Sequence, residues 1–347
     1  MIPHSRPSID NKEAVAATRV LASGYLAQGK EVAGLEKELC AVTGHRSGLA
    51  TSSGSAALFG ALKCLGVGRG DRVVIPSFAC TALANAVFLT NAQPVICDVE
   101  ASNGLMSSAT VKQVLNSKVK AIIVPHHFGV PAPVHAIEKE CGIPVVEDCA
   151  QCIGATIDGK TAGSLGTIAI FSFYATKVLA AGEGGCITTS DRRFAKRLED
   201  MREYDNRQQF EPRFNFKMSD LTAAVAREQL KKLPRFLRRR RSIAKKYSRA
   251  LSGKSMAGPF PEVLQQSNPM FFRYIIRTEK RSAVQRHFHR HQVACARPIF
   301  KPFHMFSNKR GFPVSARLYE ELLSIPLYPA LTDDEVGIVV EALKGLK

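Results

Sequence analysis

Apolar residues fall into short runs along the chain, and these alternate with amphipathic stretches. Helical spacing marks residues 11 to 22 and 30 to 43, and the first of these opens on Asp10 followed three residues later by Glu13, a reciprocal helix-start pattern. Strand-like runs and helices then take turns. Gly48 to Thr51 is followed by a helix from Ser55 to Leu65, Arg72 to Ile75 by a helix ending at Leu89, and Pro94 to Asp98 by the run Ala121 to Val124. A helix from Val134 to Glu140 precedes the strands Ile143 to Glu147, Ile168 to Phe173 and Gly185 to Thr189. This alternation predicts an α/β fold with a mostly parallel sheet and helices on both faces, and ligands in such sheets sit at the carboxyl ends of the strands.

From Ser219 to Leu251 the pattern is one long helix that Pro234 is expected to kink or divide. Beyond a loop from Ser252 to Pro269 comes a smaller α+β segment: strand Phe271 to Arg277, a helix to His291, strand Val293 to Ala296, and helices near Ser315 and Thr332. The expected division is a large domain over 1–240 and a small C-terminal domain over 241–347. No internal repeat is visible.

With 347 residues, 45% hydrophobic and 22% charged, the composition excludes a disordered, collagenous or coiled-coil chain. The first twenty residues lack an apolar signal core, and the longest apolar stretch, Cys80 to Leu89, is far short of the ~20 residues that span a bilayer. A cytoplasmic protein with no membrane partner is expected. Nine scattered cysteines read as reduced, mostly buried thiols. Cys149-Ala-Gln-Cys152 is a single C-x-x-C, short of the four ligands of a closed zinc site even with His126 and His127 considered, so no metal is expected. The formal charge is +18, and Lys231 to Arg249 carries ten basic residues and no acid. Of two readings, a solvated helix face and a nucleic-acid or phosphate site, the first is preferred, because no zinc finger or aromatic RNA-binding motif accompanies the charge.

Four local signals carry chemistry. Thr51-Ser-Ser-Gly-Ser-Ala-Ala57 links a strand to a helix, where free amides and the helix dipole favour an anion. Glu147-Asp-Cys-Ala-Gln151 ends an apolar strand with an acid. Phe171-Ser-Phe-Tyr-Ala-Thr-Lys177 sets Lys177 just past another buried strand, where desolvation can turn an amine into a nucleophile. Asn215-Phe-Lys-Met-Ser-Asp220 opens the long helix, with Ser219 as a good N-cap. An anion-binding helix start, a strand-end Asp and a strand-end Lys are together what pyridoxal 5′-phosphate requires: a covalent anchor, a partner for the ring nitrogen and a phosphate cradle.

On these motifs, together with Ile2-Pro-His-Ser-Arg-Pro-Ser8, Gly70-Asp-Arg-Val-Val-Ile-Pro76, Pro94-Val-Ile-Cys-Asp98 and Leu323-Ser-Ile-Pro-Leu-Tyr-Pro329, the chain resembles the DegT/DnrJ/StrS family of fold-type I aminotransferases along essentially its whole length. The resemblance implies that Lys177 anchors the cofactor, Asp148 partners its ring nitrogen, Gln151 neighbours the ring hydroxyl, and Gly54, Ser55 and Ser172 hold the phosphate. Asn215 would reach the cofactor of the other subunit, which implies a homodimer with shared sites. The activity implied is amino transfer, from glutamate, to a nucleotide-linked keto sugar in amino-sugar or polysaccharide biosynthesis.

Three departures bear on the substrate. Cys80 stands where many members carry a ring-stacking aromatic, Lys217 replaces an Arg, and a His-Gly near Tyr204 to Asn206 is absent. Two alternatives stand beside the leading reading. A sugar dehydratase would use the same cofactor but carry His at the Lys177 position, and a protein that binds nucleic acid or an anionic surface through 231–249 would have a vestigial cofactor site.

Overall fold

The computed structural model describes residues 1–205, 207–254, 267–307 and 310–346. Helices α1 (Asn11–Ser23) and α2 (Lys30–Thr43) lead into β1 (Ser47–Thr51), α3 (Gly54–Cys64), β2 (Arg72–Pro76), α4 (Ala82–Leu89) and β3 (Gln93–Cys97). There follow α5 (Ser108–Lys112), β4 (Val119–Pro125), α6 (Val134–Cys141), β5 (Val145–Asp148) and a small hairpin of β6 (Thr156–Ile157) and β7 (Lys160–Thr161). Then come β8 (Ile168–Ser172), β9 (Gly185–Thr189), α7 (Arg192–Arg202) and α8 (Asp220–Leu251). The C-terminal part holds β10 (Ser267–Asn268), β11 (Tyr274–Arg277), α9 (Arg281–Arg290), α10 (Pro313–Glu321), β12 (Leu322–Ile325) and α11 (Asp333–Lys344).

The main sheet has seven strands in the order β1-β9-β8-β5-β4-β2-β3, and β9 alone runs against its neighbours β8 and β1. The parallel centre is mostly hydrophobic, as it must be when helices cover both faces, with the acids Glu147 and Asp148 at the end of β5 as the exception. On one face Leu49, Ile75, Ile123, Ile170 and Ile187 pack under Leu58 and Leu62 of α3. On the other, Ala50, Ala169 and Phe171 meet Leu35 and Leu39 of α2 and Ala223 and Leu230 of α8. A separate core gathers Ile243, Tyr247, Tyr274, Phe288, Leu323 and Val339, and Ile2 from the chain's start.

Helix α8 runs unbroken through Pro234, against expectation. Its first half is buried in the sheet's core and its second half in the C-terminal one, so packing on both sides of the proline offsets the lost hydrogen bond, a cost of ~3 kcal/mol. Expected strand Val293 to Ala296 is instead two isolated bridges, Val293 to Ile2 and Ala296 to Ser324, because its neighbours come from separate segments. Phe271 has φ +53, so β11 begins only at Tyr274. Most of the expected loop Ser252 to Pro269 lies outside the described residues. Helices α5 and α7, the β6–β7 hairpin and β12 were not read from the pattern.

The basic stretch is in larger part the solvated face that its composition suggests, with Lys231, Arg235, Arg238, Lys245, Lys246 and Arg249 exposed, but several of its cations are turned to structural use. Lys232 Nζ is buried against Glu13 (2.6 and 2.7 Å) and Asp10 (2.8 Å), and Arg239 holds Asp333 (2.9 Å) and the Leu331 carbonyl (2.7 Å). Arg240 is buried, with Nη1 donating to the carbonyls of Phe271 (3.1 Å), Phe272 (3.2 Å) and Leu327 (2.9 Å). Burial, with Arg273's charge adding, pushes its pKa down to about 9.

Two predictions follow from these buried cations and imidazoles. Arg240→Met strands three carbonyls and should cost about 2–4 kcal/mol in a denaturant titration; an unchanged midpoint would contradict the strut. His127 lies between Phe78 and Phe128 with neither ring nitrogen hydrogen-bonded, and burial, helped by His126, lowers its pKa from 6.5 to about 4. Between those two pH values the unfolded chain binds more protons than the folded one, so stability falls as pH falls. By pH 5 the loss from this group is about 2 kcal/mol. In His127→Leu, stability should therefore drop less between pH 7 and pH 5 than in the wild type, and parallel curves would rule the effect out.

Candidate active site

The carboxyl edge of the sheet brings the sequence-predicted residues together. Thr51 of β1 pairs with Gly185 of β9, which pairs in turn with Ser172 of β8. A Cβ on Gly185 would come 2.5 Å from the Ser53 carbonyl, so glycine here lets the β1–α3 turn close over the strand ends. Ser53 caps α3, accepting from Ala56 N at 3.1 Å. The next two amides, of Gly54 and Ser55, are helix-start donors with no intrahelical acceptor. A Cβ on Gly54 would stand 2.9 Å from Ser172 Cβ and 3.1 Å from its Oγ. Only glycine lets the Ser172 hydroxyl and the dipole end of α3 share one spot, and Ser55 is exposed beside it: an anion cradle.

One strand further in, β5 ends on two buried acids. Glu147 is saturated. It takes His126 Nε2 (2.8 Å) and Gly163 N (2.6 Å) on Oε1, and Leu165 N (2.9 Å) and Gly166 N (3.1 Å) on Oε2. His126 Nδ1 accepts from Ala132 N at 2.8 Å, which makes Nε2 the protonated nitrogen that donates to Glu147. Those bonds hold Glu147 below the ordinary carboxylate value although its burial, the largest influence, pushes the other way. His126, Glu147 and Cys149 each offer a ligand atom within 4.8 Å of one another, yet the His and Glu atoms are already engaged and burial pushes the Cys149 thiol far up, so this donor set does not suit a metal.

Asp148 is the opposite case. Its Oδ1 accepts from Ala150 N at 2.9 Å, and no other donor among the described residues bonds its side chain. Burial raises its pKa; the Ala150 amide and the charges of Lys177 and His126 oppose the rise. A buried carboxylate with one oxygen uncommitted fits a cationic or N–H partner supplied from the cavity.

Lys177, Gln151, Cys80 and Thr81 line one cavity of about 250 Å³ with Thr176, Phe272, Arg273, Pro298, Ile299, Phe300, Lys301 and Phe306. Desolvation holds the Lys177 amine below the ordinary lysine value, Arg273 adds to this, and the negative charge of Asp148 opposes it. Its Nζ stands 5.5 Å from the Phe272 ring centre. Gln151 Oε1 accepts from Phe128 N at 3.1 Å, which fixes the amide at the cavity wall. Cys80 opens onto the cavity, and its enclosed setting and Asp148 push the thiol upward.

Asn215 is not in this group. It is exposed between Phe214 and Phe216, whose rings stack at 5.0 Å and both meet Phe59 edge-on. The Phe216 carbonyl takes Ser52 N at 2.8 Å, which ties the segment to the β1–α3 turn. Lys217 is spent on Glu203 at 2.7 Å. Sequence reasoning missed Phe272 and Arg273; the available signal was a lone cation inside the apolar run Phe271 to Ile276. It also missed the 298–306 segment, whose place at the cavity depends on long-range packing such as Phe303 N on the Ser77 carbonyl at 2.8 Å.

The electrostatics predict that fluorodinitrobenzene labels Lys177 of the cofactor-free protein at a lower pH than the exposed lysines, as read by peptide mass spectrometry. Asp148→Asn removes a charge that raises the Lys177 pKa, so the midpoint should move further down; a rise would contradict the pairing.

The DegT/DnrJ/EryC1/StrS aminotransferase family model matches residues 7–344. Among similar proteins, the UDP-N-acetyl-3-dehydro-alpha-D-glucosamine 3-aminotransferase of Acidithiobacillus ferrooxidans is 31% identical, over 94% of this chain and 91% of that one. The spore coat polysaccharide biosynthesis protein SpsC of Bacillus subtilis is also 31% identical, over 99% and 97%. The crystal structure of the aminotransferase TlmJ from Streptoalloteichus hindustanus superposes with a TM-score of 0.92 at 30% identity, covering 99% of this chain and 98% of that one. With a carboxylate, an amine and an anion cradle at the strand ends, the chain belongs to the DegT/DnrJ/EryC1/StrS aminotransferase family, whose cofactor is pyridoxal 5′-phosphate.

Proposed function

We propose that this aminotransferase moves an amino group from glutamate to a keto sugar carried on a nucleotide, as a cytoplasmic homodimer, within amino-sugar or polysaccharide biosynthesis. The observation that carries the reading is the electrostatic pairing of buried Asp148 with Lys177, which shares a cavity with Gln151, at the same strand-end edge where Gly54 meets Ser172. The two sugar-pathway relatives, each covered almost end to end, support the substrate class.

The residues present fit the cofactor. Gly54, Ser55 and Ser172 would take its phosphate, Asp148 its ring nitrogen, Gln151 its ring hydroxyl, and Lys177 its aldehyde carbon. When bound, pyridoxal phosphate supplies an electron sink that lets a proton leave the carbon bearing the amino group.

The rest is the work of the chain. Lys177 Nζ, held in a cavity whose desolvation lowers its pKa below the ordinary lysine value, can take a proton from one substrate carbon and return it to another. Asp148, buried and only half hydrogen-bonded, stabilises positive charge at the position its free oxygen faces. Glu147 holds Gly163, Leu165 and Gly166, which lead into β8, and so keeps the strand that presents Ser172 in register with Asp148. Phe272, buried, forms an apolar wall of the cavity. Asn215, exposed at the β1–α3 turn, would reach the other subunit's cofactor. The dehydratase reading is disfavoured by Lys177 itself.

A panel of nucleotide-linked keto sugars, scored for glutamate-dependent amination, should yield at least one product. Lys177→Ala should lose roughly 1,000-fold or more of that rate. Mixing Lys177→Ala with Asn215→Ala protein and allowing subunit exchange should restore part of the activity through one intact site. A monomer by light scattering, or no rescue, would remove the shared-site element.

A further inference from the structure

Two arginines, Arg240 of α8 and Arg273 just before β11, share the wall of a second, smaller cavity with His4, Ser5 and Thr176. Arg240 is only 3% exposed, and burial followed by the charge of Arg273 pushes its pKa down to about 9. Burial pushes Arg273 down to about 10. No carboxylate among the described residues pairs with either. Each guanidinium spends one nitrogen on the protein. Nη1 of Arg240 meets the Phe271, Phe272 and Leu327 carbonyls, and Nη1 of Arg273 lies 3.0 Å from His4 Nδ1 and 3.1 Å from Nε2. Nε of Arg240 is buried with no hydrogen-bond partner. His4 offers no counter-charge, because burial and the charge of Arg273 hold it down to about 3 and leave its ring neutral.

The size of the cavity narrows what can enter it. Its volume is about 10 Å³, room for a single water-sized particle. A carboxylate, a phosphate or a sulfate is too large. Nothing in the wall is negative: besides the two guanidiniums it presents a neutral imidazole, the hydroxyl residues Ser5 and Thr176, and apolar side chains. A water molecule in that place would accept hydrogen bonds and leave both positive charges standing, and buried like charges without an opposite one are costly. One monatomic anion answers both. The small cavity shares Thr176, Phe272 and Arg273 with the wall of the larger one that holds Lys177.

We propose that the small cavity is an internal halide site, in which one chloride ion sits against Arg240 and Arg273 with Ser5 and Thr176 at its edge. The site goes beyond the functional reading above and does not depend on it. It does act on the same amine. The charge of Arg273 adds to the desolvation that lowers the Lys177 pKa, and an anion beside Arg273 offsets that contribution, so an occupied site makes Lys177 more basic. A structural ion is thereby coupled to the protonation of the lysine at the strand end.

The test begins with the holoenzyme. Crystals grown without halide and soaked in bromide, measured at the bromine absorption edge, should show an anomalous peak between Arg240 and Arg273. The melting temperature of the wild-type holoenzyme should be about 2–3 °C higher in saturating chloride than in gluconate at equal ionic strength. Arg273→Met, which removes one of the two charges, should lose that increment. In the cofactor-free protein, the pH midpoint for fluorodinitrobenzene labelling of Lys177 should rise by roughly half a pH unit when chloride replaces gluconate. It should stay in place in Arg273→Met, and the wild-type measurements decide the matter even where that variant does not fold. A water molecule with no anomalous signal at saturating bromide would overturn the site, and so would equal melting temperatures and equal labelling midpoints in the two salts. Bromide in the cavity without either salt effect would mean an adventitious ion only, which also overturns it. All of these readouts are separate from amino transfer, so their failure leaves the aminotransferase reading intact.

Discussion

Two adjacent carboxylates, Glu147 and Asp148, sit at the end of a central strand with almost no water, and the fold satisfies them unequally. Glu147 receives an imidazole N–H and three backbone amides from the segment before β8, so its charge is fully answered from within the protein. Asp148 receives one amide. Burying an acid without enough donors is unfavourable, and proteins keep such a group only where something else supplies the missing partner. The contrast between neighbours makes β5 both an internal fastener and one wall of a binding site. Lys177 is the nearby cation that offsets part of Asp148's cost, and the same low-polarity surroundings depress its own pKa.

Backbone geometry then sets what can approach this pair. With β9 reversed between β1 and β8, the ends Thr51 and Ser172 flank Gly185, and the absence of side chains at Gly54 and Gly185 lets the start of α3 descend onto them. On the other side, Gly129, at φ +87, would drive a Cβ to 2.4 Å from Phe272 N. Glycine there admits the segment that carries Phe272 and Arg273 to the cavity. The C-terminal part therefore contributes directly to the site, and α8, buried in both cores, joins it to the sheet.

Much of this was legible in the chain. Parallel strands covered on both faces write themselves as continuous apolar runs, and Asp148, Lys177 and the β1–α3 turn fall at the ends of those runs, so they stood out in combination and through the family resemblance. Elements that depend on distant partners were not. The 293–296 run is apolar enough for a strand but finds only single-residue bridges, while Pro234 would break an isolated helix and is tolerated because two cores grip it. The ten basic residues of 231–249 read as a solvated face, and six of them are exposed, yet Arg240 and Lys232 point inward, since side-chain direction on a long helix depends on what the other elements bring to it.

The chemistry of the site depends on Lys177 being the amine that meets the cofactor. Its most direct measurement is peptide mapping of wild-type protein after incubation with pyridoxal 5′-phosphate and reduction with borohydride. A single modified peptide spanning Lys177, with fixation lost in Lys177→Ala, is the predicted result. Modification centred on another lysine of the cavity, such as Lys301, or spread over the exposed lysines with Lys177 untouched, would contradict it.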